Sequence, residues 1–356
     1  MPISRLESSK IHHDYKRTAE VASLQYVTDA ISGISRQKKG TGYSFAYNNA
    51  VVKDDEILAR IRKLAIPPAW TNVWICFESN GHIQATGYDV RGRKQYKYHE
   101  SWNTVRNQTK FHRLIEFGKE LPKLRKRMEN DISSTRLTKE KVLATVVSLM
   151  ERTFIRVGNS EYEKLYGSYG LTTLKDGHVN ITGATIKFSF KGKKGVFHTI
   201  TLKNKRLARI VKACRDIPGK ELFQYFNEDG VRASIDSGMV NNYIQETTGK
   251  DYSAKDFRTW AGTLSMLSTL KSLGEAGVQA ETKKNVIQAL DVVSSKLGNT
   301  RTICKKYYVH PGIIKLYEEH NLQKYLDQLE STETTEDDVV DLTQEEKVLM
   351  KILKKI

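Results

Sequence analysis

Residues Ile186–Ile200 read Ile-Lys-Phe-Ser-Phe-Lys-Gly-Lys-Lys-Gly-Val-Phe-His-Thr-Ile. Ile186, Phe188 and Phe190 alternate with Lys187, Ser189 and Lys191, the spacing that puts apolar side chains on one face of a strand. Gly192-Lys193-Lys194-Gly195 interrupts the alternation, and a second β run continues to Ile200. The stretch predicts a β-hairpin with a basic, glycine-flanked tip. On both sides the apolar spacing turns helical. Upstream, Val142, Leu143, Val146, Val147 and Met150 form one stripe, predicting a helix over Lys139–Arg156 with Gly158 as its stop. Before it, Phe111, Leu114 and Ile115, and later Leu121 and Leu124, recur at three- and four-residue intervals. Downstream, helices are expected at Lys205–Cys214 and Val240–Thr247. Ser253-Ala-Lys-Asp256 has the form of a capping box opening a helix that carries Leu264, Leu267 and Leu270. A hairpin inside a helical region makes this part α+β, with helices dominant.

Further upstream the pattern is different. From Gly40 to about Trp102 the apolar runs are short: Tyr43–Tyr47, Val73–Phe77 and His82–Thr86, with Asn80-Gly81 and Arg91-Gly92 as turn signals. Ile57–Leu64 reads as a short helix stopped before Pro67-Pro68. The expected organisation is therefore a small N-terminal antiparallel β domain (1–104) and a larger, mostly α-helical domain with a β-hairpin (105–330). An acidic, Thr-rich linker and terminal helix (331–356) follow. Residues 1–38 are polar and basic and are expected to form a loosely attached arm. No internal repeat is visible.

The composition narrows the chemistry. Among 356 residues, 58 Lys and Arg face 41 Asp and Glu, a net charge of +17. Such a surplus draws a polyanion, most often nucleic acid. The 39% hydrophobic and 28% charged content is that of a globular chain. Cys76, Cys214 and Cys304 are odd in number, far apart and without CxxC spacing, which argues against disulfides or a thiolate metal site. The N-terminus has no apolar signal core, and no stretch of apolar residues is long enough to span a membrane. No GxxxxGK[ST] loop is present, so nothing points to nucleotide hydrolysis.

Breaking a nucleic-acid phosphodiester without a metal sets definite demands. Fixed cations must hold the charge that gathers on the nonbridging oxygens, and the planar, permanently charged guanidinium suits this best. A nucleophile must attack in line, and an acid must protonate the departing oxygen. A tyrosine nucleophile would conserve the bond energy as a phosphotyrosyl ester. Four segments meet these demands: Ile155-Arg156-Val157-Gly158-Asn159, the tip at Lys193, Lys255-Asp256-Phe257-Arg258-Thr259-Trp260, and Leu297-Gly298-Asn299-Thr300 with Tyr308 eight residues on. Singly, each has a plain reading, since an arginine in a basic chain is most often solvated and a tyrosine most often packing.

The set in order is distinctive. IRKLAIPPAWTNVWIC, GHIQATGYDVRGRKQYKYHESW, IRVGNSEY, SYGLTTLKDGHV, FKGK, KDFRTWAGT and LGNT followed by YVHP resemble the compact type IB DNA topoisomerases of bacteria and poxviruses, from about residue 35 to 325. The bacterial branch is the nearer. The resemblance implies the fold shared with tyrosine recombinases and an activity that relaxes positive and negative supercoils through a transient 3′-phosphotyrosyl break, without ATP or metal. It assigns Arg156 and Arg258 as the two active-site arginines, Lys193 as the acid for the 5′ oxygen, and Tyr308 as the nucleophile. Asn299 stands where poxviral members carry histidine. Tyr307, beside Tyr308, and Arg301 depart from the usual pattern. By the same resemblance Gln95, Tyr96, Tyr98, Tyr162 and Lys255 contact DNA. Asn159 replaces a basic base-contacting residue of the poxviral members.

These expectations extend to partners: double-stranded DNA held by two lobes closing around it, a monomer, no membrane, no cofactor, and a cytoplasmic setting near the nucleoid if the source is bacterial. A tyrosine site-specific recombinase is the principal alternative. It uses a similar residue set but typically a His-x-x-Arg element, where this chain has Lys255-x-x-Arg258, and it lacks the IPPAW and GRKQYxYH segments. A non-catalytic DNA-binding protein is the second alternative.

Overall fold

The computed structural model describes residues 14–90, 92–328 and 340–356. The chain divides into two units, Met1–Arg113 and Leu114–Ile356. The first thirteen residues of the expected basic arm, Arg91 of the Arg91-Gly92 turn, and residues 331–339 of the expected linker lie outside the described residues.

In the first unit, α1 (Tyr15–Val21) precedes β1 (Ile34–Lys39), β2 (Gly42–Tyr47) and β3 (Ala50–Val51). Then come α2 (Asp55–Lys63), β4 (Thr71–Ile75), β5 (Ile83–Tyr88) and β6 (Lys94–Tyr98). The strands form one antiparallel sheet in the order β3-β2-β1-β4-β5-β6, as the short alternating runs predict. Its core is Ile34, Val73, Ile75 and Ala85, with Ile61 from α2. Asp54 caps α2 by accepting from the backbone N–H groups of Glu56 and Ile57. The helix ends at Leu64, and Ala65 (φ 46°) turns the chain away before the two prolines. One local expectation fails. Neither Asn80 nor Gly81 takes a positive φ, so the pair is not the tight turn that Asn-Gly usually makes. The loop from β4 to β5 is longer, and it is held by Gln25, whose N–H donates to the Asn80 carbonyl.

Helix α3 (Glu100–Ser133) runs on into the second unit. There follow α4 (Lys139–Thr153), α5 (Ser160–Tyr166), β7 (Val179–Thr182), β8 (Thr185–Lys191) and β9 (Phe197–Lys203). Next are α6 (Lys205–Arg215), β10 (Gln224–Phe226), β11 (Arg232–Ser234) and α7 (Ser237–Thr248). The chain closes with α8 (Ala254–Leu273), α9 (Gln279–Leu297), α10 (Arg301–Tyr307), α11 (Pro311–Glu318), α12 (Gln323–Leu326) and α13 (Gln344–Leu353). The unit is helix-dominated, with the expected hairpin as β8 and β9 of a three-stranded sheet. Ile186, Phe188 and Phe190 point into the core, and Lys187 and Lys191 point out. Helix α4 is buried over nearly its whole length and forms the centre of that core. The apolar side of α13, with Val348, Leu349, Ile352 and Leu353, joins the same core. Among the described residues no helix is long and apolar enough to cross a membrane.

Candidate active site

Helix α4 stops three residues short of the predicted Arg156. Phe154 takes the left-handed conformation (φ 58°) as its cap, so Arg156 lies on an extended segment rather than at a helix end. That segment pairs with the loop beyond α5: the Leu171 N–H donates to the Arg156 carbonyl at 2.9 Å, and Thr172 to Val157 at 2.7 Å. Gly158 (φ 105°) makes the close approach possible, because a Cβ there would sit 2.8 Å from the Thr172 hydroxyl. Both hydrogen bonds of the Arg156 side chain among the described residues use Nη2. It donates to Asn299 Oδ1 at 2.7 Å and to the Gly298 carbonyl at 3.2 Å. Nη1 and Nε remain for another acceptor.

Arg258 comes from the second turn of α8. Ser253 and Asp256 form the expected capping box, with the Ser253 N–H donating to Asp256 at 2.9 Å. Arg258 is 6% exposed. Nη1 donates to the Phe154 carbonyl at 2.5 Å and Nη2 to the Leu297 carbonyl at 2.7 Å. These two carbonyls, at the C-terminal ends of α4 and α9, fix the plane of the guanidinium. Nε is buried and has no acceptor among the described residues. The guanidinium carbon lies 5.2 Å from the centre of the Tyr308 ring.

Tyr308 caps α10. Its N–H donates to the Cys304 carbonyl at 2.9 Å, and its own carbonyl accepts from the Thr263 hydroxyl at 3.2 Å. Thr263 also accepts from the His310 N–H at 3.1 Å. Gly262 leaves room for this contact, since a Cβ there would lie 2.6 Å from the Tyr308 carbonyl oxygen. Tyr308 is thus gripped on both sides of its backbone. Tyr307 is different: it is exposed, and Lys306 covers its ring at 5.4 Å.

The electrostatics are unusual. Among the described residues neither Arg156 nor Arg258 is paired with a carboxylate. Burial, reinforced by the Arg258 charge, pushes Arg156 down to about 10. Burial likewise holds Arg258 below its ordinary value. The Cys304 thiol beside them is pushed up to about 11 by burial, against the pull of both arginines. Two desolvated cations without a counter-ion create a strong demand for an anion. Unspent N–H donors give that anion something to bind.

The family described as "Eukaryotic DNA topoisomerase I, catalytic core" matches residues 99–336. "Bacterial DNA topoisomerase IB, N-terminal domain" matches residues 42–89. The DNA topoisomerase 1B of Acanthamoeba polyphaga mimivirus is 35% identical over 297 residues, 81% of this chain and 88% of its own. The chain belongs to the type IB DNA topoisomerases. DNA topoisomerase 1B of vaccinia virus is 24% identical over 281 residues, 77% of this chain and 86% of its own. DNA topoisomerase 1 of rabbit fibroma virus is 26% identical over 274 residues, 73% and 80%. Nothing among these relatives favours a recombinase.

As a type IB topoisomerase the protein acts on DNA, and the remaining predicted residues fall into two groups. Lys193 is at the exposed hairpin tip, with its ammonium 5.1 Å over the ring of Tyr162. Tyr162 is on α5, which Asn159 caps by accepting from the Glu161 and Tyr162 N–H groups. Lys255 is in the first turn of α8, three residues before Arg258. Gln95, Tyr96 and Tyr98 belong to the first unit, on edge strand β6. Tyr96 and Tyr98 are 43% and 40% exposed, which rules out a plain core role. Their rings stack at 5.8 Å, and Tyr98 stacks on Trp102 at 6.1 Å. Gln95 instead donates to Asp89 at 3.1 Å. Sequence reading missed Phe154, Gly262, Thr263 and His198. Gly262 and Thr263 lie within the WAGT stretch, so a signal was there. Phe154 acts through its backbone carbonyl and leaves no side-chain signature.

Proposed function

We propose that Tyr308 is the nucleophile of a metal- and ATP-independent break in one strand of duplex DNA. The phenolic oxygen attacks the phosphorus and gives up its proton to solvent. The bond to the 5′ oxygen breaks, leaving a 3′-phosphotyrosyl ester. Arg156 and Arg258 hold the nonbridging oxygens through the donors they do not spend on the protein, and the Asn299 amide adds a third. Lys193 protonates the leaving 5′ oxygen and recovers that proton when the 5′ hydroxyl attacks the ester and reseals the strand. Between the two steps the free end swivels about the intact strand, so supercoils of either sign relax. The chain acts as a monomer, and Tyr96, Tyr98, Tyr162 and Lys255 bear on the duplex.

One observation supports this reading above the others: Arg156, Arg258 and the Asn299–Tyr308 stretch come from three distant segments into one site, with no carboxylate among the described residues paired to either arginine. The test is plasmid relaxation in EDTA without ATP, with denaturing trapping of the adduct and mapping of the modified residue. Relaxation with a DNA-linked Tyr308 is the expected result. A Tyr308→Phe protein that still relaxes plasmid, or an adduct on Tyr307, overturns the assignment.

A further inference from the structure

His198 has no role in the scheme above, yet it touches two parts of the proposed machinery. It stands on β9 opposite Phe190, and the two rings stack at 5.2 Å. A Cβ on Gly192 would lie 2.6 Å from Cδ2 of the imidazole, and a Cβ on Gly298 would lie 2.2 Å from Cε1. The ring is therefore wedged between two glycines that only a missing side chain allows so close. Gly192 opens the hairpin tip, directly before Lys193, where its N–H closes the tip by donating to the Val196 carbonyl at 2.7 Å. Gly298 is the left-handed cap of α9 (φ 56°), directly before Asn299, and its carbonyl accepts from Arg156. On the β8 side, Lys191, which pairs with Phe197 next to the tip, has an anchor of its own: the Tyr169 N–H donates to its carbonyl at 2.8 Å. On the β9 side the rigid ring fills this place. Burial, with the charges of Arg156 and Arg258 next, holds its pKa below the usual value.

We propose that His198 is a positioning residue. Its imidazole, held between Gly192 and Gly298, sets the reach of the Lys193 tip relative to the Arg156–Asn299 pair. This rests on the reading of Lys193 as the acid. Loss of the ring lets the tip shift, and a shift of about 1 Å at a catalytic group is enough to slow a reaction roughly a hundredfold.

The test separates that function from general damage by changing the leaving group. Single-turnover cleavage is measured on an ordinary duplex and on one whose scissile 5′ bridging oxygen is replaced by sulfur. A thiolate departs without a proton, so it needs no acid. His198→Ala is expected to cleave the ordinary duplex roughly 10- to 100-fold more slowly, and the sulfur duplex at close to the unsubstituted rate. His198→Phe, which keeps a flat ring without nitrogen, should recover most of the lost rate. Equal slowing on both duplexes, or no slowing on the ordinary one, overturns the proposal. Lys193→Ala is the control for the reading beneath it. If sulfur fails to rescue Lys193→Ala, the acid assignment falls. If sulfur rescues Lys193→Ala and His198→Ala cleaves normally, only the positioning role falls.

Discussion

Arg258 spends two N–H groups on backbone carbonyls and keeps a buried third without an acceptor among the described residues. Its aim is thus fixed before substrate arrives, which is what transition-state stabilisation by preorganised donors requires. Arg258→Ala should lower single-turnover cleavage by roughly 10²- to 10³-fold, the usual cost of losing one such donor. A loss below tenfold would contradict its place at the phosphate. Asn299 is weaker. Its Oδ1 is taken by Arg156, and Nδ2 has only a long contact of 3.5 Å to the Leu297 carbonyl. A neutral hydrogen bond contributes about 1 kcal/mol, so Asn299→Ala should cost about tenfold or less in the same assay. The residue types of this site were legible, because arginines, lysine and tyrosine stood in recognisable motifs. The choice between Tyr307 and Tyr308 rested on register alone. In the structure the two rings have different neighbours, Arg258 at Tyr308 and Lys306 at Tyr307.

At the scale of elements, helix ends do the placing. Arg156 is aimed by the stop of α4 at Phe154 and by the left-handed Gly158, not by the helix itself. Gly158→Ala should destabilise the second unit by about 1–3 kcal/mol, the range for forcing a side chain into such a conformation. Chemical denaturation measures it, and unchanged stability would show that the turn can rearrange. Helix α13 braces the same region from the other side. Glu346, only 2% exposed, accepts from Arg125 at 2.7 Å and from Trp260 at 3.0 Å, two residues beyond Arg258. Burial works to raise the Glu346 carboxyl, but Arg125 outweighs it, so the folded value lies below the ordinary 4.5. A depressed carboxylate stabilises the fold fully above its unfolded value and loses that contribution as pH falls through the folded one. Stability should therefore drop below about pH 4.5, and Glu346→Gln should flatten this acid limb in denaturation curves taken across pH. Glu346→Ala, which leaves Arg125 with the Glu151 carboxylate and the Asp341 carbonyl, should cost about 3 kcal/mol at neutral pH. A terminal helix was expected from the sequence. Its ion pair with a residue more than two hundred positions earlier was not, since nothing local records it.

For the whole molecule the governing quantity is the charge of +17. Each phosphate neutralised by a lysine or arginine releases counterions, so DNA affinity should fall steeply and linearly on a log–log plot against salt. Fluorescence anisotropy with a labelled duplex tests this, and a flat response would remove the lysine- and arginine-rich surface from the binding account. Tyr96→Ala and Tyr98→Ala should weaken binding with little change in that slope, because they carry no charge. Much of this protein was legible in neighbouring residues. Alternation of period two gave the N-terminal sheet and the hairpin, the helical stripes gave the second unit, and the motifs gave the family and the residue types of the site. Those signals are local, written in the side chains of neighbouring positions. The folded chain alone brings distant backbone together: the Phe154 and Leu297 carbonyls on Arg258, Thr263 on Tyr308, and His198 between two glycines. Carbonyls are the same in every residue and glycine has no side chain, so such contacts leave no pattern in sequence until the chain folds and brings them together.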